Sequence, residues 1–279
     1  MQVVETLAEL RADLSKLRSD QNTLALVPTM GALHQGHLSL VETAKPLADI
    51  VAMSIFVNPL QFNNKEDLAN YPNTRAKDLE LAKKAGVGLV FSPSLTEIYP
   101  EEISTTVKAG DMAEGLCGAG RPGHFDGVAT VVSILFNLFE PNFAVFGEKD
   151  FQQVKVIEQL NKELHFGINI VRSPLIRENS GLALSSRNSR LSSEQQETAS
   201  LIYKALADVK KEFLENKVEA VELKAKFREH LKDTELKVEY AKALDELTLR
   251  EVGAQSKKLR FFVAAEIAGI RLIDNLALY

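Results

Sequence analysis

The sequence predicts an α/β protein in which a doubly wound parallel sheet is followed by a smaller α+β domain. The first observation is that short apolar runs alternate with helical patterns from Leu24 to about Pro174. Strands that alternate with helices form a parallel sheet with helices on both faces. The second observation is a change after Pro174, where two amphipathic helices come first and three apolar runs come last. We therefore expect two domains, residues 1–174 and residues 175–279.

The apolar runs of the first domain have the lengths of buried strands. The predicted strands are residues 24–27, 50–57, 88–91, 143–146 and 168–172. Between them, apolar residues recur at helical spacing, which predicts helices over residues 38–47, 75–85, 128–138 and 151–164. Ligands of such sheets bind beyond the carboxyl ends of the strands, so the residues that follow each strand are the first candidates for a site.

The second domain is predicted from a capping signal and from strand-like runs. Ser192-Ser193-Glu194-Gln195 has the composition of a helix N-cap with a capping box, and apolar residues follow it at helical spacing. A second amphipathic helix is expected over residues 221–231. Three strands joined by short turns are expected over residues 236–243, 259–265 and 270–275. The boundary between the domains is expected within residues 174–188.

The composition is that of an ordinary globular protein, with 45% hydrophobic and 25% charged residues in 279. The 33 basic and 38 acidic residues give a net charge of −5, which disfavours a broad nucleic-acid-binding surface. The single cysteine, Cys117, excludes an intramolecular disulfide framework and a multi-cysteine metal site. The first residues lack a signal-peptide pattern, and no run approaches the roughly 18 apolar residues of a membrane span. We expect a cytoplasmic protein that binds neither membranes nor nucleic acid.

The most informative segment is Val27-Pro28-Thr29-Met30-Gly31-Ala32-Leu33-His34-Gln35-Gly36-His37. It leads from the first predicted strand through a Pro/Gly turn to a helix expected to begin near His37. The N-terminus of a helix offers free N–H groups and a positive dipole end to an anion. Two imidazoles three residues apart beside that anion site suit the phosphate chain of ATP. An H-x-G-H match also arises by chance, and a histidine can simply cap a helix, so the flanking strand, turn and helix are needed to favour nucleotide chemistry.

Gly147-Glu148-Lys149-Asp150 occupies the same strand-to-helix position after residues 143–146. The ammonium of Lys149 can neutralise charge that builds on a leaving pyrophosphate. A lysine at a helix N-terminus opposes the helix dipole, so a purely solvated role explains it less well.

Leu184-Ser185-Ser186-Arg187-Asn188, at the expected domain boundary, offers two hydroxyls and a guanidinium, which form a compact phosphate-binding set. Alone it would be an ordinary polar loop. Its position beside Arg177 and Gly181 favours a closing phosphate clamp.

Two glutamines are candidates for substrate binding. Gln61 follows the strand predicted to end at Val57, and Gln153 lies in the first turn of the helix after Asp150. Neutral amides carry both donors and acceptors, which suits a substrate with hydroxyls and a carboxylate. Either glutamine alone would more often be an ordinary surface residue, whereas two glutamines beside one crevice favour a substrate-binding site.

Gly118-Ala119-Gly120-Arg121-Pro122-Gly123 matches the G-x-G-x-x-G spacing of dinucleotide-binding turns. No convincing strand precedes it, and Pro122 stands where the helix should already have begun. We therefore expect a mobile loop, in which Arg121 either reaches a phosphate or is solvated.

Taken together, these segments closely resemble the pantothenate synthetase (pantoate–β-alanine ligase) family. The segments are residues 27–37, Ser54-Ile55-Phe56-Val57-Asn58-Pro59-Leu60-Gln61-Phe62, Phe146-Gly147-Glu148-Lys149-Asp150-Phe151-Gln152-Gln153 and Ser185-Ser186-Arg187-Asn188. The similarity extends through His124-Phe125-Asp126-Gly127-Val128-Ala129-Thr130-Val131-Val132 and covers most of the chain. The family is one of the HxGH nucleotidylyltransferases. The resemblance implies a Rossmann-like N-terminal domain, a smaller C-terminal domain that closes over the site, a homodimer, and dependence on ATP with Mg²⁺.

The resemblance also implies residue roles. The implied ATP-binding residues are Met30, Gly31, Ala32, Leu33, His34, Gln35, Gly36, His37, Gly147, Glu148, Lys149, Asp150, Leu184, Ser185, Ser186 and Arg187, with Ile176 at adenine. The implied pantoate site contains Pro28, Met30, Gln61 and Gln153, and Gln61 also lies near β-alanine. His37 corresponds to a position described as a proton donor, and His34 and Lys149 join it as catalytic candidates. Metal ligands are not assigned. Leu184 stands where the family usually has methionine, and a similar apolar residue should preserve the loop.

The implied activity is the condensation of (R)-pantoate with β-alanine to pantothenate, a coenzyme A precursor, through a pantoyl adenylate. Two other functions stay open. A nucleotidylyltransferase acting on a phosphorylated cofactor precursor would need a basic pocket for the acceptor phosphate. The residues found at that place are the neutral Gln61 and Gln153. A nucleotide-sensing protein would bind ATP without releasing pyrophosphate.

Overall fold

The structure is a computed structural model that describes residues 1–100, 103–215, 217–253 and 255–279. The described chain divides into two compact units. The first unit comprises Met1–Glu114, Gly118–Glu148 and Gln153–Pro174, and the second comprises Gly115–Cys117, Lys149–Gln152 and Leu175–Tyr279. The segment that contains Lys149 therefore belongs to the second unit, although it lies in the N-terminal part of the sequence.

Within the described residues of the first unit, six strands form one parallel sheet. They are β1 (Gln2–Val4), β2 (Leu24–Thr29), β3 (Ile50–Ile55), β4 (Leu89–Phe91), β5 (Phe143–Gly147) and β6 (Asn169–Ser173). Their order in the sheet is β1-β4-β3-β2-β5-β6. The order reverses between β2 and β5, and the carboxyl ends of strands at such a switch point flank the ligand crevice of a doubly wound sheet.

Helices pack against both faces of this sheet. The helices up to residue 163 are α1 (Leu7–Ser19), α2 (Gln35–Ala44), α3 (Lys65–Ala69), α4 (Arg75–Ala85), α5 (Leu95–Ile98), α6 (Leu116–Gly120), α7 (His124–Phe139) and α8 (Phe151–Glu163). Leu24 and Leu26 of β2 pack with α1, α7 and α8, whereas Ala25 and Val27 pack with α2 and α4. A strand buried on both faces is apolar throughout, as the sequence of β2 is. The predicted doubly wound α/β class is confirmed.

Some element boundaries differ from the predictions. Strand β1 and helix α1 were not predicted, although Thr6 and Glu9 form a capping box before the buried Leu10 and Leu14. Helix α2 begins at Gln35 and not near His37, because His34 is its N-cap. The loop expected over residues 118–123 is instead the end of α6 and a turn into α7.

The second unit contains an antiparallel sheet and two longer helices. In its described residues, β7 (Lys237–Asp245), β8 (Leu259–Ile267) and β9 (Ile270–Ala277) lie in that order. The helices α9 (Ser193–Leu214) and α10 (Leu223–His230) pack on one face, and Phe151 packs with Phe262 on the other. The capping box of Ser192 and Gln195 and the α+β class of this domain are both confirmed. No helix in the described part of the chain is long and apolar enough to cross a bilayer.

Candidate functional site

The loop between β2 and α2 is held by a buried aspartate of α4. The carboxylate of Asp78, which is 1% exposed, accepts hydrogen bonds from the backbone N–H groups of Ala32 (3.0 Å) and Leu33 (2.8 Å). Gly31 has φ of 82°, and a Cβ at this position would lie 3.1 Å from Asp78 Oδ2. The loop turns tightly against the carboxylate because residue 31 is glycine. The Ala32 and Leu33 amides therefore stabilise the loop itself.

The two histidines of the motif constrain each other at the start of α2. Nδ1 of His34 accepts a hydrogen bond from Gly36 N–H at 3.1 Å, and Nδ1 of His37 accepts one from His34 N–H at 3.4 Å. The ring centroids are 4.1 Å apart. Because each Nδ1 is an acceptor, this pattern assigns the proton of each neutral ring to Nε2. The bonds that cap the helix therefore use Nδ1 of each ring, whereas a phosphate would be bound through Nε2, so the two roles concern different ring nitrogens.

Gln61 lies in a 3-10 turn, Pro59–Gln61, soon after β3. Its Oε1 accepts a hydrogen bond from Asn58 Nδ2 (3.0 Å), and its Nε2 donates to Met30 Sδ (3.1 Å). Asn58 therefore fixes the amide of Gln61 with its NH₂ group toward Met30. A thioether is a weak acceptor, so a carboxylate or hydroxyl oxygen would be a better partner for this donor.

Tyr99 and His124 fix the surroundings of Gln61. The Tyr99 hydroxyl donates to Asn58 Oδ1 at 2.9 Å, and burial raises the pKa of Tyr99 to about 12, so it remains a donor at neutral pH. Nδ1 of His124 lies 2.8 Å from the Gln61 carbonyl oxygen, and Nε2 lies 3.1 Å from a nitrogen of Arg121. A carbonyl only accepts and a guanidinium only donates, so this pattern assigns the His124 proton to Nδ1. Arg121 thus supports the turn that carries Gln61. The sequence had suggested only that Arg121 reaches a phosphate or is solvated.

Helix α7 approaches the same turn through Gly127. A Cβ at residue 127 would lie 2.5 Å from the carbonyl carbon and oxygen of Leu60 and 2.6 Å from Gln61 N. The Gly127 carbonyl also accepts a hydrogen bond from Asn58 Nδ2 at 3.0 Å. Glycine at this position therefore allows the turn that carries Gln61 to lie directly against α7.

In the second unit, Lys149 lies in the 3-10 turn Glu148–Asp150, between β5 and α8. The predicted strand–turn–helix context of Lys149 is confirmed. Its carbonyl oxygen accepts a hydrogen bond from Asn275 Nδ2 of β9 at 3.1 Å. Its Nζ lies 3.8 Å from a carboxylate oxygen of the exposed Asp150, a distance at which the attraction in water is weak.

Residues 184–188, named the serine segment, follow directly from a short hairpin. Leu184 N–H donates to the Ile176 carbonyl at 3.0 Å, so the adenine-binding candidate and the start of the serine segment are paired. Ser185 caps the 3-10 helix Ser186–Arg190, and its Oγ accepts a hydrogen bond from Arg187 N–H at 3.3 Å. Arg177, which precedes this segment, donates to the Asp274 carboxylate at 2.6 and 2.8 Å.

The candidate residues fall into two groups, one in each unit. The first unit holds Pro28, Met30, Gly31, Ala32, Leu33, His34, Gln35, Gly36, His37, Gln61, Gly147, Glu148 and Gln153, and the second holds Lys149, Asp150, Ile176, Leu184, Ser185, Ser186 and Arg187. Within the first unit, Met30 contacts Gln61 and His34 contacts His37. Gln153 is half-buried in the first turn of α8. The convergence of His34, His37 and Lys149 on one triphosphate stays a prediction.

Several residues that fix the site were not singled out from the sequence. They are Asn58, Asp78, Tyr99, Gly127, Asp274 and Asn275. For Asp78 a signal existed, since it lies with Ala82 and Ala85 on the buried face of α4, and a buried carboxylate requires hydrogen-bonding partners. Asn58 and Gly127 lie within the segments that carry the family resemblance, but no spacing rule identifies their partners.

No group of three or more His, Cys, Asp or Glu side chains that could hold a metal ion occurs among the described residues. Mg²⁺ usually keeps several waters and binds through substrate phosphates with one or two carboxylates.

Comparison with known proteins identifies the family. A family model described as Pantoate-beta-alanine ligase matches residues 2–277. A pantothenate synthetase from Marinobacter nauticus is 43% identical over 280 residues, which cover 100% of this chain and 99% of the relative. A pantothenate synthetase from Thermoanaerobacter sp. is 44% identical over 277 residues, which cover 99% and 98%.

Solved structures agree with these matches. A pantothenate synthetase from Thermus thermophilus has a TM-score of 0.93 and 40% identity, with 100% of both chains covered. A pantoate-beta-alanine ligase from Francisella tularensis, complexed with beta-gamma ATP and beta-alanine, has a TM-score of 0.82 and 35% identity, with 100% and 98% covered. The resemblance drawn from the sequence motifs is confirmed. The chain belongs to the pantoate–β-alanine ligase family.

Proposed function

We propose that this protein joins (R)-pantoate to β-alanine at the expense of ATP and releases pantothenate, AMP and pyrophosphate. Membership of the ligase family supports the proposal, as does the relative whose structure contains ATP and β-alanine. The contact that carries it is the 3.1 Å approach of Gln61 Nε2 to Met30 Sδ. Met30 belongs to the loop that ends at the His34 cap, so the amide donor for an acid substrate and the imidazole donors for phosphate share one loop.

In the first step, a carboxylate oxygen of pantoate bonds to the α-phosphorus of ATP, and pyrophosphate leaves with the electron pair of the broken P–O bond. A carboxylic acid with an ordinary pKa of about 4 is ionised at neutral pH, so this step needs no general base. Its barrier arises largely from repulsion between anions, which preorganised donors lower. We assign this role to the Nε2–H groups of His34 and His37 and to the ammonium of Lys149, with His37 as a proton donor.

The remaining candidates are assigned to binding. Gln61 and Gln153, with Pro28 and Met30, hold pantoate through amide hydrogen bonds and apolar contacts. The ATP-binding set consists of Gly31, Ala32, Leu33, Gln35, Gly36, Gly147, Glu148, Asp150, Ile176, Leu184, Ser185, Ser186 and Arg187. For Ala32 and Leu33 the contact would come from atoms other than their backbone N–H groups, which bind Asp78.

In the second step, the amine of β-alanine bonds to the acyl carbon of the adenylate, and AMP leaves with the electron pair of the C–O bond. A primary ammonium has a pKa of about 10, so the amine must lose a proton before it attacks, and a second proton is released when the amide forms; water, the AMP phosphate or His37 accepts them. The neutral amide of Gln61 suits this step, since it holds the acid without a positive charge that would repel the incoming ammonium.

We further propose a cytoplasmic homodimer in which residues 1–174 bind ATP and pantoate and residues 175–279 close over them. Mg²⁺ would enter with the ATP phosphates, and pantoate, β-alanine and ATP would be the binding partners. Sedimentation equilibrium tests the assembly. A mass near that of a single 30.8 kDa chain at micromolar concentration would exclude the homodimer.

Isotope exchange tests the reaction directly. Labelled pyrophosphate should enter ATP when the enzyme and pantoate are present, and omission of β-alanine should not stop the exchange, because the adenylate forms before the amine is used. Exchange that requires a phosphorylated acceptor would indicate the nucleotidylyltransferase alternative, which the family match does not favour. Binding of ATP without exchange would leave only the nucleotide-sensing function.

A further inference from the structure

Two neighbouring polar residues of β9 connect to both candidate phosphate-binding segments of the second unit. Asp274 and Asn275 are each 4% exposed. Consecutive residues of a strand point to opposite faces. Asp274 lies on the face covered by α9, where it binds Arg177, and Asn275 lies on the face where Phe151 packs. Strand β9 thus contacts one of the two segments through Asp274 on one face of the sheet and the other segment through Asn275 on the opposite face.

Asn275 holds the turn that carries Lys149. Its Nδ2 donates to the Lys149 carbonyl at 3.1 Å, and its Oδ1 accepts from Arg260 Nη1 at 2.7 Å. The guanidinium of Arg260 lies 4.0 Å from the ring centroid of Phe151. Residues 149 and 151 are therefore both fixed by side chains from the second-unit sheet.

Asp274 holds the base of the hairpin that leads to the serine segment. Arg177 donates twice to its carboxylate and once to the Gly181 carbonyl at 3.0 Å, and it stacks at 3.8 Å over the Tyr203 ring of α9. Burial raises the pKa of Asp274, while the hydrogen bonds from Arg177 act in the opposite direction. The antiparallel bridge between Arg177 and Ala183 closes the hairpin directly before Leu184.

Stability alone does not account for this arrangement. A buried ion pair is often no more stabilising than well-packed apolar residues, because both charges lose their hydration. What it does provide is a fixed geometry, and phosphoryl chemistry depends on fixed donor positions.

We propose that Asp274 and Asn275 are positioning residues that set the spacing between Lys149 and residues 185–187. The inference rests on the proposed function, because it presumes that both segments bind one triphosphate. Through Asn275 the strand fixes the main chain of Lys149, and through Asp274 it fixes the hairpin that ends at Ser185. The donors then reach the phosphates as one preorganised set.

Pyrophosphate exchange in Asn275 variants tests this role. In Asn275→Asp the oxygen toward Arg260 is kept, and a second oxygen replaces the amide that binds the Lys149 carbonyl. A displacement of about 1 Å costs on the order of a hundredfold in rate. We expect kcat for exchange to fall about 10- to 100-fold, with the KM for pantoate changed less than about twofold. In Asn275→Leu, which adds no charge, kcat for exchange should fall by a similar factor. A loss of kcat confined to Asn275→Asp would overturn the proposal and would indicate simple charge repulsion.

A double variant separates positioning from general damage. If Asn275 acts through Lys149, then Asn275→Asp should cost less than about threefold in a Lys149→Ala background, since groups that act as a unit are not additive. The full 10- to 100-fold loss in that background would contradict the proposal.

Asn161→Asp provides the matched control. Asn161 Nδ2 donates to the Ile168 carbonyl at 2.8 Å and so fixes main chain elsewhere in the same way. The rate of pyrophosphate exchange in Asn161→Asp should stay within about twofold of wild type, measured at a temperature below the unfolding midpoints of all the variants. Absence of pantoate-dependent exchange in the wild type would refute the proposed function, whereas wild-type exchange with undiminished Asn275 variants would refute the positioning role alone.

Discussion

The two units fix their candidate phosphate-binding groups in different ways. In the first unit, His34 and His37 are constrained by hydrogen bonds to the backbone of their own loop, within residues 34–37. In the second unit, Lys149 and the hairpin before Ser185 are held by Asn275 and Asp274, whose positions in the sequence are about a hundred residues away. The first geometry is local, whereas the second depends on tertiary packing.

This difference predicts how each group responds to change. A local cap keeps its shape as long as the strand–turn–helix segment folds, because the hydrogen-bonding atoms are close in the chain. A group held by a distant strand loses its position when either element shifts. The chemistry of the second unit should therefore be more sensitive to substitutions outside the motifs than the chemistry of the first.

The largest effects are expected from the donors themselves. His37→Ala and Lys149→Ala should each lower the rate of pyrophosphate exchange about a hundred- to a thousandfold, the cost of losing one preorganised donor. The unfolding midpoint should change little, since both side chains are partly exposed. Exchange kinetics measured beside thermal unfolding check both statements.

A charge-preserving variant sharpens this comparison. Lys149→Arg keeps the positive charge and should recover part of the exchange rate that Lys149→Ala loses. His37→Asn keeps a side-chain N–H donor but places it at a different distance from the backbone. Normal exchange in His37→Ala would remove the imidazole from the mechanism, and normal exchange in Lys149→Ala would do the same for the ammonium.

A smaller effect is expected at Asp78, which holds the backbone of the histidine loop from α4. In Asp78→Asn, a single oxygen accepts where a carboxylate bound the Ala32 and Leu33 amides and the Thr74 hydroxyl. Leaving one buried N–H without its acceptor costs about 1–3 kcal/mol, and loss of a charge-assisted bond adds a similar amount. Urea unfolding should therefore show a loss of about 2–6 kcal/mol, together with weaker exchange.

Thr74→Val is the matched control for Asp78→Asn, because it removes only the hydroxyl that donates to the same carboxylate. Its cost should be about 1 kcal/mol, the value of a typical hydrogen bond. Equal costs for the two variants would mean that the backbone contacts of Asp78 contribute nothing.

The sequence was sufficient for the features that repeat locally. The strand–helix alternation predicted the sheet, and the Ser192 capping box predicted the start of α9, because both depend on residues close in the chain. The same holds for the turn at Lys149 and for the paired histidines. Helix α1 was missed although it has a capping box at Thr6.

The contacts that fix the site were harder to predict because they join distant elements. Gln61 was predicted to bind substrate, but the direction of its amide is set by Asn58, Tyr99 and Gly127. No spacing rule connects residue 58 with residue 99. Nor does the sequence show that Arg177 pairs with Asp274, because an arginine close to Ser180 and Gly181 is equally well suited to bind a phosphate.

A smaller effect on exchange is expected at Glu158 of α8, which forms an ion pair with Arg172 in the first unit. Arg172 of β6 binds its carboxylate at 2.6 and 2.8 Å, and Lys155 binds it at 2.9 Å. Burial by itself raises the pKa of Glu158, but these hydrogen bonds outweigh burial and hold the pKa below its ordinary value of 4.5. A carboxylate with a lowered pKa in the folded state stabilises that state above its unfolded pKa.

Glu158→Gln should therefore lower the free energy of unfolding by about 1–2 kcal/mol at pH 7, the worth of hydrogen bonds to a charged group in a partly exposed pair. The difference from wild type should shrink as the pH falls from 4.5 through the lowered pKa, because the wild-type carboxylate then becomes protonated. Pyrophosphate exchange at pH 7 should be unchanged. A large loss of exchange would show that distant ion pairs govern the chemistry of the first unit too, and the contrast between the two units would then fail.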